Sequence, residues 1–416
     1  MQTFGKALRN SLPALGLGLL GALGAVSVSF VAAAPAMAQQ GPKKEFVENY
    51  NAAKAALASR QFAQAIQKAD AAASHASGTQ QKSALEQIRV AASCDASVKN
   101  HAGCISAIEK AKATGGLPNS LIQNYDKMLA GRYNESGQNA KALSQTKSNI
   151  SAYGGSAGDF AFVARNELAA KNYGEAVKFA QKAIDASGKP NKTYYNIMLN
   201  AYQAQNKLDD FYRVVEKIAP IFREDTYWRM LIERARKEKN YRGAEANLDV
   251  YRALQQAGVK LKSEELFEMA EAARKATVPV EAANIWDIMA KANDPQVAKN
   301  KALVDQVKKN AAADKATELA KSEAAAATRA SGEPYATVAD GYLASGNAKK
   351  AVEVYQKAIA KGQMEAGKVD LIKLRMGVAQ LKDGKKADAV KTWQSIKADN
   401  GAAWLAKSWI AISKGG

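Results

Sequence analysis

Three short stretches carry residue types at spacings that can do chemistry. Gly154-Gly155-Ser156-Ala157-Gly158 fits G-x-S-x-G, the spacing that exposes a nucleophilic serine on a strained strand-to-helix turn. That chemistry needs a histidine base later in the chain. The chain's two histidines, His75 and His101, both precede Ser156. Gly362 to Lys368, GQMEAGK, fits the glycine spacing of a phosphate-cradling loop. Such a loop follows a strand and ends in Ser or Thr for the metal; here a helical pattern precedes it and Val369 follows. Ser144-Gln145-Thr146-Lys147 offers a serine three residues before a lysine, without the companion motifs that make the pair catalytic. The three stretches read as two interhelical loops and one polar helix face. Glu264-Glu265 and Asp209-Asp210 stand where helices should begin, complementing the helix dipole rather than a substrate. The reading is of a protein that is not an enzyme, with no cofactor and no bound metal.

Cys94 and Cys104 lie ten residues apart with His101 between them. In an oxidising compartment the spacing favours one disulfide. Free thiols or a metal site are the alternatives, although two thiols and one histidine are a ligand short of a closed zinc site.

Compartment follows from the N-terminus. Lys6 and Arg9 precede an uncharged, mostly apolar run from Leu12 to Ala34. Pro35 breaks it, and Ala36-Met37-Ala38 supplies small residues for cleavage, so residues 1–38 read as a secretory signal. The expected location is periplasmic or extracytoplasmic, with no integral span after cleavage; the alternative is an uncleaved anchor, since the apolar run is long enough to span. The formal charge of +19 over 416 residues becomes +17 once Lys6 and Arg9 are gone. Such a field attracts polyanions. Export excludes nucleic acid and leaves acidic proteins, anionic lipid or envelope polymers.

The elements that position these residues are helical. Hydrophobic residues make up 47% and charged residues 24%, and nine prolines interrupt the chain, a normal balance for a folded, alanine-rich helical protein. A chain this long exceeds one ordinary core, which calls for domains or a repeat array. The clearest unit is Tyr335 to Ile359, YATVADGYLASGNAKKAVEVYQKAI. Tyr335, Val338, Ala339 and Tyr342 share one helical face; Ala351, Val354, Tyr355 and Ala358 share another across the turn Ser345-Gly346-Asn347. The second-helix signature recurs at Ala65, Gly103, Ala140, Ala176, Phe211, Ala244, Ala282, Ala316, Ala351 and Ala389. Nine steps from Ala65 to Ala389 average 36 residues.

This pattern resembles the tetratricopeptide repeat, whose period is about 34 residues. Tyr335, Ala339, Tyr342, Gly346, Ala351, Tyr355 and Ala358 match that family's large, small, aromatic and turn positions; Gln363 stands where it has a closing proline. The resemblance covers residues 45–412 and implies an all-α solenoid of about ten antiparallel hairpins. Residues 39–295 form the main array, 296–331 an aromatic-free Ala/Lys-rich connector or thin repeat, and 332–416 a C-terminal pair. Phe211, large where a small residue is wanted, suggests a distorted hairpin.

The resemblance also implies a peptide or protein bound in a concave groove lined by first helices. Carried over by position, the lining is Arg165, Asn196, Asn200, Gln203, Arg229, Glu233, Arg236, Lys237 and Arg274, with Trp228 in the core. Amide side chains can hold an extended backbone, and arginine grips a carboxylate with two parallel hydrogen bonds. Seven residues separate Arg229 from Arg236, which on a continuous helix puts both on one face, beside Lys237, for an acidic or C-terminal group of the partner. The segment from Thr226 to Ala292, with Tyr227-Trp228 and the turn Val278–Ala283, also resembles the helical repeat protein that accompanies TonB-type envelope machinery.

Overall fold

A computed structural model describes residues 42–415 apart from 239–240, 314–315, 366 and 398–399. The signal read at residues 1–38 lies outside the described residues. None of the described helices is long and apolar enough to cross a membrane.

The described elements are helices. In the first compact unit, which ends at Asn206, they are α1 (Lys44–Ala58), α2 (Phe62–Ala73), α3 (Gly78–Cys94), α4 (His101–Thr114), α5 (Asn119–Glu135), α6 (Asn139–Tyr153), α7 (Ala157–Ala169), α8 (Tyr173–Ala186) and α9 (Lys192–Ala204). The second unit, from Lys207, holds α10 (Leu208–Phe222), α11 (Asp225–Ile232), a 3-10 turn (Glu233–Lys237), α12 (Ala244–Gln256), α13 (Ser263–Lys275), α14 (Pro279–Lys291) and α15 (Pro295–Lys299). It continues with α16 (Lys301–Ala313), α17 (Ala316–Ala327), α18 (Glu333–Ala344), α19 (Ala348–Lys361), α20 (Lys368–Lys382), α21 (Lys386–Gln394) and α22 (Gly401–Lys414). The division between Asn206 and Lys207 falls inside the span read from sequence as one array, and it separates α9 from Phe211 on α10.

The helices form for the reason the periodicity gives. On α8 the buried residues are Ala176, Phe179, Ala180 and Ala183; on α19 they include Ala351, Val354, Tyr355 and Ala358. Burying one of the larger side chains contributes about 1.5–3 kcal/mol. The smaller ones let helices approach. The fourth residue of the second helix is at most 1% exposed in seven hairpins: Ala65, Cys104, Ala142, Ala176, Ala282, Ala351 and Ala389. Two sequence registers therefore move. Cys104, not Gly103, and Ala142, not the exposed Ala140, fill the close-approach position. Ala244 is half-buried at the first position of α12 rather than in the crossing.

First helices end alike. The N–H of Gln61, Gln138, Asn172, Val278, Asn347 and Lys385 each donates to the carbonyl five residues back, at 2.8–3.0 Å. The residue just before each of these turns left-handed: Arg60, Gly137, Lys171, Thr277, Gly346 and Gly384. This is a Schellman closure, and it wants glycine. Thr277, at φ 57°, is the worst occupant, because its branched Cβ crowds the backbone. Its side chain is exposed. Thr277→Gly should raise stability by about 1 kcal/mol, the relieved left-handed strain exceeding the entropy glycine adds to the unfolded chain. The denaturant midpoint followed by tryptophan fluorescence checks this; an unchanged midpoint would mean the turn carries no strain.

Within the first unit the hairpins α1/α2, α3/α4, α5/α6 and α7/α8 stack in order, with α9 packed on α8 and α7. In the second unit α16 packs on α14 and α17 on α18, so the aromatic-free stretch is built into the stack through Val304, Val307, Leu319 and Ala326. The last helix, α22, packs on α20 and α21 and also on α10, α11, the 3-10 turn and α12. The second unit thus joins its end to its beginning. Trp404 lies edge-on to Tyr212 at 5.5 Å, and Gly401 admits the Tyr241 ring where any Cβ would collide. All five tryptophans belong to this unit: Trp228, Trp286, Trp393, Trp404 and Trp409.

Candidate functional site

In the first unit, the identical turns set first helices in register. Counting back six from Lys171 gives Arg165 on α7, and six from Asn206 gives Asn200 on α9. Those two helices touch. Counting back ten gives Ala161 and Asn196, so Asn196 stands one turn from Asn200 beside a small neighbour, and Gln203 lies one turn further on. On α5 the same count from Gly137 gives Gly131, where a Cβ would meet nothing, and Lys127, which is exposed. By this count Gly131, Arg165 and Asn200 hold the same position on α5, α7 and α9, with Lys127 one turn earlier on α5. Arg165 and Asn200 are half-buried, and among the described residues neither side chain has a hydrogen-bond or ion-pair partner. A half-sunk guanidinium beside an unpaired carboxamide suits a carboxylate and a peptide amide.

The other groove residues read from sequence lie in the second unit, where most are already committed. Arg229 bonds Glu265 at 2.6 and 3.1 Å and Glu233 at 3.4 Å. Its guanidinium holds the Glu265 carboxyl below the usual glutamate range. Arg236 is not on the same helical face as Arg229, because α11 ends at Ile232 and the chain tightens into the 3-10 turn. Instead it lies over the Tyr251 ring, 4.6 Å from its centre. Arg274 pairs with Glu271 at 2.8 Å. Lys237 is exposed. Trp228 is 3% exposed and belongs to the core.

The second unit also contains a charge network that no local pattern announced. Arg375 on α20 is 5% exposed and bonds Asp249 on α12 at 3.0 Å, Asp340 on α18 at 3.0 Å and Glu245 at 3.1 Å. Tyr355 donates to Asp340 at 2.5 Å. Arg252 joins Asp249 at 2.9 Å and both oxygens of Glu281. Burial works to raise the Glu281 carboxyl, and Arg252 overrides it, so that it sits below the usual range. Asp340 goes the other way: burial pushes it up further than Arg375 pulls it down. These groups tie α12, α14, α18, α19 and α20 together.

No protein-family model matches the sequence, and no curated protein matches it. Among solved structures, the chain is similar to a tetratricopeptide repeat protein from Parabacteroides merdae ATCC 43184, at 11% identity and a TM-score of 0.28, over 79% of this chain and 99% of that one. It is also similar to a Naa15/Naa10 assembly bound to HypK-THB (14%, TM-score 0.27, 87% of this chain and 60% of that one) and to a maize pentatricopeptide repeat protein (12%, TM-score 0.26, 89% and 62%). Overlaps this loose carry no argument about site or partner. The repeat type rests on this chain's own hairpins, with their shared three-residue turn and small fourth residue. In each unit the described residues are all α-helical and form hairpins that resemble the tetratricopeptide repeat.

Within those tetratricopeptide-like hairpins, the chemical motifs take structural places. Ser156 caps α7, its hydroxyl accepting from the Asp159 N–H at 3.2 Å and donating to the Asp159 carboxylate at 2.7 Å. Gly362 and Gly367 are left-handed turn residues between α19 and α20. Ser144 to Lys147 lies on α6, where Lys147 pairs with Glu167 at 2.5 Å. Glu264-Glu265 and Asp209-Asp210 occupy first helical turns. Cys94 and Cys104 are bonded to each other, with Cα atoms 4.7 Å apart, which leaves no thiol for a metal. His101 instead faces Glu135 at 3.2 Å, and Arg132 reaches from α5 to the Cys94 carbonyl at 2.9 Å.

Proposed function

We propose that the protein is a non-enzymatic, extracytoplasmic scaffold whose first unit holds an extended, acidic segment of a protein partner along Arg165, Asn196, Asn200 and Gln203. The observation that carries this is the pairing in register of Arg165 and Asn200, both half-buried and neither satisfied within the fold. Two half-buried polar side chains that make no bond within the described residues are open to a ligand, and a hydrogen bond to a charged group contributes about 1.5–3 kcal/mol. The N-terminal charge and apolar pattern supports export.

A photo-crosslinking residue at position 203, set against one at Lys182 on α8, tests the surface in cells. The partner should be captured from 203 and not from 182. Arg165→Ala with Asn200→Ala should then weaken the purified complex more than tenfold, since a charged hydrogen bond at a desolvated contact is worth about 2–5 kcal/mol. The melt should stay within about 0.5 kcal/mol of the parent. Unchanged affinity in a folded variant would remove this surface from consideration. The charge of +17 left once Lys6 and Arg9 are taken from the formal +19 favours a second reading, electrostatic attachment to an anionic polymer or lipid. Raising salt separates the two: a charge-only contact collapses, and a groove contact persists in part.

A further inference from the structure

Inside the second unit, α12, α14, α18, α20 and α22 converge on a cavity of about 320 Å³. That volume falls at the lower end of the range for small-molecule sites, about 300–1,000 Å³. Its floor is apolar: Leu343, Val378 and Trp409 are all buried, and Trp409 is stiffened by stacking on Trp393 at 5.7 Å. One wall is the Arg252–Glu281 pair, in which both carboxylate oxygens are already held by the guanidinium. That pair offers a polar surface with no charge to spare. The remaining lining groups are different. Gln255, Gln256 and Asn284 present carboxamides, and Lys382 an ammonium, all exposed and none with a hydrogen-bond or ion-pair partner among the described residues.

The cavity therefore holds one ammonium that makes no direct bond but feels the nearby Glu281, three amides without partners among the described residues, and a rigid apolar base. We infer that it is a binding site for a small organic monocarboxylate with an apolar body, the carboxylate on Lys382, the body over Leu343, Val378 and Trp409, and any amide or hydroxyl on Gln255 and Asn284. With a single ammonium that makes no direct bond, and Glu281 beside it, the site favours a monoanion over a dianion. The volume excludes a folded segment. The stem of Lys382 is exposed, while desolvation at its ammonium, with Arg252 and against the pull of Glu281, holds it below the usual lysine value, and a bound carboxylate would add to the Glu281 attraction.

Calorimetric titration of the whole secreted chain with N-acetyl-leucine and with its neutral isostere N-acetyl-leucinamide tests the assignment. The acid should bind at least tenfold tighter than the amide. Lys382→Gln, an exposed change, should bring the two within about twofold of each other, and Ala344→Phe should abolish both by filling the cavity, with tryptophan melts confirming that each variant folds. Equal binding of acid and amide to the parent, or no binding of either, overturns the inference. So does an octapeptide ending in leucine that binds more than tenfold tighter than N-acetyl-leucine, which would make the occupant a chain terminus. Arg165→Ala with Asn200→Ala, which tests the first unit, should leave these titrations unchanged.

Discussion

Arg375→Ala should cost the second unit about 3–5 kcal/mol, the penalty for leaving buried carboxylates without their cation. Asp249 and Asp340 are 3% and 5% exposed, so water cannot replace the guanidinium. The loss should depend on pH in a definite direction. Asp340 already has its carboxyl raised by burial, with Arg375 the main group opposing the rise. Removing Arg375 raises it further. A carboxyl whose folded pKa exceeds its unfolded pKa makes the folded state the better proton binder, so stability falls as pH rises through the folded value. The variant should therefore be less handicapped at pH 5 than at pH 8. Denaturant titrations at both pH values measure this. A deficit under about 1 kcal/mol, equal at both, would mean the network carries little of the unit's stability. Replacing Arg375, Asp249 and Asp340 together by apolar residues of similar size should recover much of the loss, because buried ion pairs gain little over good packing.

The first unit has a different weak point. Converting both Cys94 and Cys104 to alanine should lower its stability by about 3 kcal/mol, the loop-entropy value for a closure of about ten residues. Cys104 is 1% exposed at a helix crossing, so the alanines also lose some packing. Far-UV circular dichroism melts of parent and variant, with and without reductant, check the figure. Reductant should bring the parent most of the way to the variant's midpoint, short of it by the packing the alanines lose, and leave the variant unmoved. An equal shift of both would place the reductant's effect elsewhere.

What the sequence discloses about this chain is local. The hairpin at Tyr335 to Ile359 was legible because every contact it needs lies within a few turns of helix. The slips at Gly103 and Ala140 have one cause: in a chain this rich in alanine and other small residues, several neighbours satisfy the small-residue position, and only packing selects Cys104 and Ala142. Arg229 and Arg236 were set on one face by assuming a continuous helix, and a 3-10 turn at Glu233 breaks the count. Arg375 was not singled out at all. It stands among Lys373 and Met376 as an ordinary helical arginine, and its partner Asp249 is 126 residues away. Among groove residues, Arg165 and Asn200 hold the same position on two touching helices because the same three-residue turn follows each helix.

The return of α22 onto α10, α11 and α12 changes when the second unit can become stable. An open stack of hairpins gains most of its contacts from neighbours and can zip up from any point as the chain appears. Here Ser408 reaches the Leu231 carbonyl, 177 residues earlier, and Arg375 spans 126 to Asp249. Contacts of such separation raise the contact order and slow the final step. During synthesis the helices from Lys207 onward must wait, their closing faces bare, until residues 401–414 emerge. A chain stopped short of Gly401 would leave Tyr241 and Tyr212 open to solvent, and would be recognised by proteases and chaperones as unfinished.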